Sequence, residues 1–452
     1  MSKKNKLYVL LGVLVAISLV TVLVSKHEEK KEEIKNSGEE ILAISKDDVT
    51  QISWNTGKQS LSFSKSDDTW KYDEDENFPV DEDKINSILE QFESFSSQFV
   101  IENVTDYSQY GLDDPTCTIN IFTEDNAYTI KLGDFSSMDE ERYVDIGDGN
   151  VYLATSDPYD SVNVKISSLV KDDEIPAIKD VTSISFTGNE NYTITKQDES
   201  TSICTDDLYY TDSKPLDSDL ISSYVSAINN VTLSGYVSYN VTEEELSSYG
   251  LDNPDLTINV VYGDDNNEVT LEIGSNKEEM EKYNEAVEKD SDDLPDVTRY
   301  IRVKDSQLVY ELSESNYTSL TAASYNDLRH QKLFTGDFDE VTSIEVTLDS
   351  NTYTFTKEDD TWKYNDDEIT VDTLESSIKA LSASEFTSDT SSNQKEVSIT
   401  LNLDNESYPT FKIDLYRVDG EKCLAYVDDT PIAYVLRTTV VDLIEAINKI
   451  IL

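Results

Sequence analysis

Histidine is almost absent from this sequence, with two residues in a chain of 452. His27 and His330 lie far apart, which strongly disfavours a Ser-His-Asp triad or a His-rich zinc site. The sequence also lacks a G-x-S-x-G nucleophile motif, a phosphate-binding glycine loop and a dinucleotide fingerprint. We therefore expect no enzyme activity, no cofactor, and no catalytic, cofactor-binding or metal-binding residues.

Cysteine is also scarce: Cys117, Cys204 and Cys423 are the three cysteines, and no C-x-x-C pair occurs. Each lies in or beside an apolar or strand-like segment, so we expect buried free thiols rather than a disulfide framework.

Basic residues are few relative to acidic ones, 36 against 92, and the formal net charge is −56. Such a charge repels nucleic acid and anionic lipid headgroups, so nucleic acid is excluded as a partner. Basic proteins and weakly bound divalent cations are compatible with it. The alternative is that the charge only keeps an exposed domain soluble.

One long hydrophobic run is present, at Leu7–Val24, and it contains no charged residue. At about 1.5 Å per residue it spans about 27 Å, close to the hydrocarbon core of a bilayer. Residues 1–25 are therefore predicted to be a cytoplasmic tip and transmembrane anchor, and 26–47 a charged stalk. Lysines before the run favour a cytoplasmic N-terminus and an extracytoplasmic C-terminal part. A cleaved signal peptide, with a shorter apolar region, is the alternative.

A recurring phrase divides the rest of the chain. Val-Thr-x-Ile steps begin at Val49, Val181 and Val341, and their β-branched residues predict a strand in each unit. The predicted units are 48–178, 179–337 and 338–452.

The first and third units share a Thr-Trp-Lys-Tyr segment, which contains Trp70 and Trp362. Large aromatic side chains are typical of cores and also of ligand-binding platforms. We expect both rings to be core residues, and a binding platform is the alternative.

An amphipathic helix is predicted next in each unit, because apolar residues recur at spacings of three and four. Aspartates near the helix starts are predicted caps: Asp81, Asp217 and Asp372. The apolar positions are Ile85, Ile88, Leu89, Phe92 and Phe95; Leu220, Ile221, Tyr224, Val225 and Ile228; and Leu374, Ile378 and Leu381.

The most specific phrase is Y-G-L-D-x-P, which occurs at Tyr110–Pro115 and again at Tyr249–Pro254. A capping-box pattern at Thr242–Glu245 predicts a short helix that ends at Tyr249, with Gly250 left-handed after it. We interpret the phrase as a structural turn, and a functional role for Asp113 or Asp252 is the alternative.

Further strands follow, and closing helices are predicted near 158–170 and 315–328. This mixed order predicts tandem antiparallel α+β repeat units after an N-terminal transmembrane helix. The third unit is shorter and lacks the Y-G-L-D-x-P phrase, which is typical of a degenerate copy. An acidic insertion at 275–296 is predicted to be an exposed loop or helix. A stretch from Asp73 begins like a calcium-binding EF-hand loop, but Phe78 replaces the required glycine.

The chain resembles the bacterial DUF4340 family in its N-terminal apolar segment, its Val-x-x-Ile openings, its W-x-Y strand and its Y-G-L-D-x-P phrase. Leu132-Gly133 and Ile273-Gly274 supply the Leu/Ile-Gly step that follows in that family. The resemblance covers roughly 48–330 and, more weakly, the third unit. It implies a membrane-anchored extracytoplasmic protein with relatives often associated with ABC-type transporters, and it implies no catalytic residues.

These features together favour a non-enzymatic interaction or accessory module of a membrane or envelope complex, for which an ABC-type transporter is a candidate partner. The alternatives are a cell-envelope carbohydrate-binding protein, an acid-dependent hydrolase, and a passive spacer or adhesin.

Overall fold

The computed structural model describes residues 39–102, 104–391 and 393–452. The predicted cytoplasmic tip and transmembrane anchor lie outside these residues. The chain divides into two compact units. The first ends at Asp173 and also takes in Ser234–Val241, and the second comprises Glu174–Leu233 and Thr242–Leu452.

The first sheet has nine antiparallel strands, and its first strand lies within the range predicted to be a charged stalk. The order across the sheet is β1-β5-β9-β8-β7-β6-β2-β3-β4. The strands are β1 (Glu39–Leu42), β2 (Val49–Asn55), β3 (Ser60–Ser66), β4 (Thr69–Tyr72), β5 (Phe95–Ile101), β6 (Cys117–Thr123), β7 (Ala127–Ser136), β8 (Glu141–Asp145) and β9 (Val151–Ala154).

The next nine strands, β10–β18, follow the same plan. Eight of them lie in the second compact unit and are antiparallel, in the order β13-β12-β11-β10-β15-β16-β17-β18. The ninth, β14, falls within Ser234–Val241, which belongs to the first compact unit. The strands are β10 (Val181–Gly188), β11 (Tyr192–Lys196), β12 (Tyr209–Thr211), β13 (Lys214–Pro215), β14 (Tyr236–Ser238), β15 (Leu256–Tyr262), β16 (Asn267–Ser275), β17 (Arg299–Val303) and β18 (Val309–Leu312).

The third sheet keeps this topology although its sequence diverges most. Its order is β22-β21-β20-β19-β24-β25-β26-β27-β23, so the central hairpins match those of the first sheet. The strands are β19 (Val341–Leu348), β20 (Asn351–Glu358), β21 (Thr361–Tyr364), β22 (Asp367–Ile369), β23 (Ala383–Phe386), β24 (Lys395–Leu403), β25 (Thr410–Arg417), β26 (Lys422–Val427) and β27 (Thr430–Leu436).

Short helices accompany the sheets. No helix among the described residues has the length and apolar character needed to cross a membrane. The α-helices are α1 (Glu82–Glu90), α2 (Tyr159–Val162), α3 (Ser218–Asn229), α4 (Glu243–Ser248), α5 (Lys277–Glu288), α6 (Glu314–Thr321), α7 (Tyr325–Leu328), α8 (Asp372–Lys379) and α9 (Arg437–Ile451). The 3-10 helices are Lys46–Asp48, Tyr107–Tyr110, Ile166–Leu169 and Phe338–Glu340.

The prediction of α+β repeat units is wrong, because the described residues are mostly β, with 39% strand and 22% helix. Both predicted closing helices are shorter than expected. The first is split into α2 and a 3-10 turn, and the second into α6 and α7. Phe95 also fits the helical spacing of α1, yet it begins strand β5 and is fully buried there. Burial spacing alone therefore did not distinguish the helix from the strand that follows it.

A β-bulge explains why the three opening strands do not alternate perfectly between buried and exposed residues. In each strand the register with its neighbour shifts between the opening valine and the second residue after it. The extra residue lets Val49, Ile52 and Trp54 all face the core, and each is at most 1% exposed. The same bulge recurs in β10 and β19, which supports the repeat.

Helices cover the second and third sheets in pairs. α3 packs against α6, where the Tyr224 hydroxyl donates a 2.8 Å hydrogen bond to the Leu320 carbonyl, and α8 packs against α9. Asp81 and Asp217 cap their helices as predicted. Asp372 instead is the first residue of α8, whose N-cap Val371 offers no side-chain bond. The predicted insertion forms α5, which has no buried residue.

Candidate functional site

The Y-G-L-D-x-P phrase forms the same turn in both copies. Gly111 and Gly250 follow short helical segments with φ of 67° and 71°, in the left-handed region that favours glycine. Leu112 and Leu251 then fold back into the core, each 2% exposed. The predicted capping box at Thr242 is present. The structural interpretation of the phrase is therefore confirmed.

The glycine of the Leu/Ile-Gly step is explained by the same turn. A Cβ on Gly274 would lie 2.6 Å from the Tyr249 carbonyl oxygen, and one on Gly133 would lie 2.2 Å from that of Tyr110. Real Cβ atoms do not approach so closely, so only glycine lets the turn rest on the strand. The Y-G-L-D-x-P phrase and the Leu/Ile-Gly step are therefore in close backbone contact with each other in both copies.

Aromatic and cationic side chains reinforce this junction. Tyr249 packs on Tyr300 with ring centroids 4.5 Å apart, as Tyr110 does on Tyr143 at 5.1 Å. Asp252 accepts a hydrogen bond from Lys277, which lowers the pKa of this exposed carboxyl group. These contacts stabilise the turn against the neighbouring strand.

Of the two tryptophans predicted to be core residues, Trp70 is buried in the first sheet, at 2% exposed. Trp54 of the same sheet is 1% exposed. Trp362 is half-buried and packs against the core of the third sheet, with its ring centroid 6.5 Å from that of Phe338. The described tryptophans therefore do not form an open stacking platform.

The EF-hand-like stretch is an acidic turn. The Tyr239 hydroxyl and the Asn77 backbone N–H donate to Asp75 at 2.7 and 2.9 Å, and these bonds lower the pKa of this carboxyl group. Phe78 is 3% exposed and belongs to the core.

A cluster with mixed donor chemistry lies in the second compact unit. It consists of Cys204, Asp207 and His330. Each residue offers one potential ligand atom, and these three atoms lie within 4.8 Å of one another. The His330 ring bridges two carboxylates, with Nε2 2.6 Å from Asp207 and Nδ1 3.1 Å from Asp217. The cluster opens into a cavity of about 660 Å³, which Phe334, Lys332 and Lys379 also line.

Local structure positions each member of this cluster. Asp207 is 1% exposed, and its second carboxylate oxygen accepts a 2.6 Å bond from the Ser202 hydroxyl. Asp217 uses its other oxygen to cap α3 through the backbone N–H groups of Asp219 and Leu220. Through its contact with Asp207, the His330 imidazole therefore links the loop between β11 and β12 to the segment that leads into the third sheet.

The charges around the cluster set its protonation. Burial alone would lower the pKa of His330, but hydrogen bonds and charges from Asp207 and Asp217 raise it overall. Burial raises the pKa of the Cys204 thiol, and the neighbouring carboxylates raise it further. Both shifts favour the protonated form of the group.

Sequence reasoning missed this cluster, because Asp207 and His330 are far apart in the chain and surrounded by many other acids. All three cysteines are free as predicted, and Cys117 and Cys423 are buried. Burial raises the pKa of both these thiols to about 11. Cys204 differs from them in being only partly buried and in lying beside the Asp207 carboxylate and the His330 imidazole.

Antiparallel sheets with one recurring strand order and one recurring bulge define a protein of tandem β modules. A family model described as Domain of unknown function (DUF4340) matches residues 70–243 and 290–405. These segments cover more than half of the chain, and the chain belongs to the DUF4340 family. The second segment reaches β24, so the match extends into the third sheet. Neither a curated protein nor a solved structure matches the chain.

Proposed function

We propose that this chain is a single-pass, membrane-anchored extracytoplasmic protein that acts as a non-enzymatic module of a membrane or envelope complex. The observation that carries the proposal is the short distance between the apolar run Leu7–Val24 and the first strand, which begins at Glu39. Even fully extended, the intervening residues span at most about 50 Å. The first sheet would therefore stay close to the membrane surface.

The charge indicates what kind of partner would be bound there. A net charge of −56 repels anionic lipid headgroups, so direct binding of the modules to the bilayer surface is disfavoured. A membrane protein with a basic extracytoplasmic face is the complementary partner. An ABC-type transporter is our candidate, and it comes from the family resemblance alone.

The carbohydrate-binding and hydrolase alternatives are less well supported. Carbohydrate platforms expose aromatic rings, whereas Trp70 is buried and Trp362 is half-buried against the core of the third sheet. The carboxylates of Asp207 and Asp217 are both bound to His330, so neither is free to act on a substrate in this arrangement.

Crosslinking in native membranes tests the proposal. The tagged full chain is crosslinked, solubilised and purified, and its partners are identified by mass spectrometry. We expect one membrane protein in stoichiometric amount. A control chain with Leu7–Val24 replaced by an unrelated transmembrane helix should retain this partner, because the modules would provide the contact. Recovery of no partner above an untagged control would contradict the proposal.

A further inference from the structure

We propose that Cys204, Asp207 and His330 form a binding site for a divalent transition-metal ion, with Zn²⁺ as the ion that best fits the donors. One thiol, one carboxylate and one imidazole are the ligand types that zinc takes in proteins. Their ligand atoms already lie within 4.8 Å of one another, although Cys204 and His330 are far apart in sequence. The site is distinct from the Y-G-L-D-x-P junctions.

The distances fit a tetrahedral ion after small movements. Zinc bonds of about 2.0–2.3 Å place neighbouring ligands about 3.3–3.8 Å apart. The Asp207 oxygen and His330 Nε2, now 2.6 Å apart, would separate by about 1 Å, and the Cys204 sulfur would move inward. The ion replaces the proton that the Asp207–His330 hydrogen bond now shares. Binding releases that proton and the Cys204 thiol proton to solvent.

The surroundings of the ligands resemble those of known zinc sites in two respects. Metal-bound histidines almost always donate their other ring N–H to a carboxylate, a backbone carbonyl or water, and His330 Nδ1 lies 3.1 Å from the Asp217 carboxylate. The Asp207 carboxylate is also held by Ser202, at 2.6 Å, so its free oxygen is aimed at the imidazole. Asp207 is 1% exposed, and a bound cation would keep its buried charge paired after replacing the proton shared with His330.

The fourth position would face the cavity of about 660 Å³ beside the cluster. A water molecule would complete the tetrahedron there. Lys332 and Lys379 line the same cavity together with Asp206 and Asp219, so its lining carries charges of both signs. The bound ion would cross-link the β11–β12 loop to the segment that enters the third sheet.

Cobalt titration of the purified, reduced, metal-free full chain in detergent tests the site directly. A Co²⁺–thiolate bond produces a charge-transfer band, and we expect this band to saturate at one ion per chain and to be reversed by added Zn²⁺. Cys204→Ser should abolish the band. Cys423→Ser, which removes a buried thiol in another sheet, should leave it unchanged.

Asp217→Asn provides a second variant that retains all three ligands. We expect it to weaken Co²⁺ binding by about 10- to 100-fold, because the second carboxylate orients the imidazole. Far-UV circular dichroism of each variant reports whether it is folded. Thermal melting of the wild-type chain should also shift upward with Zn²⁺ and not with Mg²⁺. Absence of the band in the wild-type chain, or its persistence in Cys204→Ser, would overturn the proposal.

Discussion

Gly250 shows how strictly a single residue can be required in this fold. Its φ of 71° strains any residue with a Cβ, and a Cβ there would lie 2.5 Å from the Ser275 carbonyl oxygen. Gly263 has a similar φ of 70°, but a Cβ at that position would lie 3.5 Å from its nearest neighbour, the end of the Asn267 side chain. Substitution of Gly263 therefore introduces conformational strain alone, whereas substitution of Gly250 adds a steric collision with the backbone.

Gly250→Ala should therefore destabilise the second unit by about 3 kcal/mol, from left-handed strain together with a backbone collision. Gly263→Ala should cost about 1 kcal/mol, from strain alone. Urea unfolding of the full chain, followed by circular dichroism, measures both. Equal losses in the two variants would show that the turn does not rest on the strand as described.

Asp414 is a buried carboxylate whose charge is held by several partners. Burial raises the pKa of this group, but bonds from Lys395 at 2.8 Å, Ser398 at 2.5 Å and Lys412 at 3.2 Å lower it overall. Asp429 also pairs with Lys412, at 2.7 Å, but is 78% exposed. The two aspartates therefore differ mainly in burial.

Asp414→Asn should cost about 2 kcal/mol at pH 7, whereas Asp429→Asn should cost less than about 0.5 kcal/mol. Because the folded-state pKa of Asp414 is lowered, its contribution is complete above the unfolded value of about 4 and is lost as the pH falls through the folded value. The difference between wild type and Asp414→Asn should therefore shrink in acid. Unfolding curves measured from pH 7 to pH 3 would contradict this if the difference stayed constant.

At the scale of elements, strand β5 shows both what local sequence predicts and what it does not. Phe95 continues the apolar spacing of α1, so the sequence predicted one longer helix. In the structure α1 ends at Glu90, and Phe95 and Phe99 belong to a strand. Phe95 is fully buried, while Phe99 is 59% exposed. Residues of β5 adopt a strand because they pair with β1 and β9, which are distant in sequence.

Phe95→Ala should destabilise the first unit by about 3–5 kcal/mol, because it leaves a large cavity in the core. Phe99→Ala, in the same strand, should change stability by less than about 0.5 kcal/mol, because its ring already contacts solvent. Thermal and urea unfolding measure both. A large loss in Phe99→Ala would contradict the described burial pattern.

Features determined by neighbours in the chain were the ones that could be predicted from sequence. The three opening strands, the caps at Asp81 and Asp217, and the left-handed Gly250 all follow from local patterns. The Cys204, Asp207 and His330 cluster depends on loops brought together by the sheets. Acidic residues are too numerous in this chain for sequence to indicate which ones meet.

At the scale of the whole molecule, the recurring plan and the charge are the main features. Each sheet has buried apolar residues and contains one strand with the same bulge (β2, β10 or β19), so the chain repeats one module. The predicted units at 48–178, 179–337 and 338–452 each contain one group of strands, apart from β1. The proposed tether would hold these acidic modules beside a membrane partner.

The central claim is that Leu7–Val24 anchors the chain with its modules outside the cell. External protease added to intact cells without their wall, with a tag on the C-terminus, tests it most directly. We expect the full chain to sediment with membranes, and we expect protease to remove the C-terminal tag while a cytoplasmic control protein stays intact. Deletion of Leu7–Val24 should abolish sedimentation. A tag that is protected until the membrane is permeabilised, or a full chain that remains in the soluble fraction, would contradict the claim.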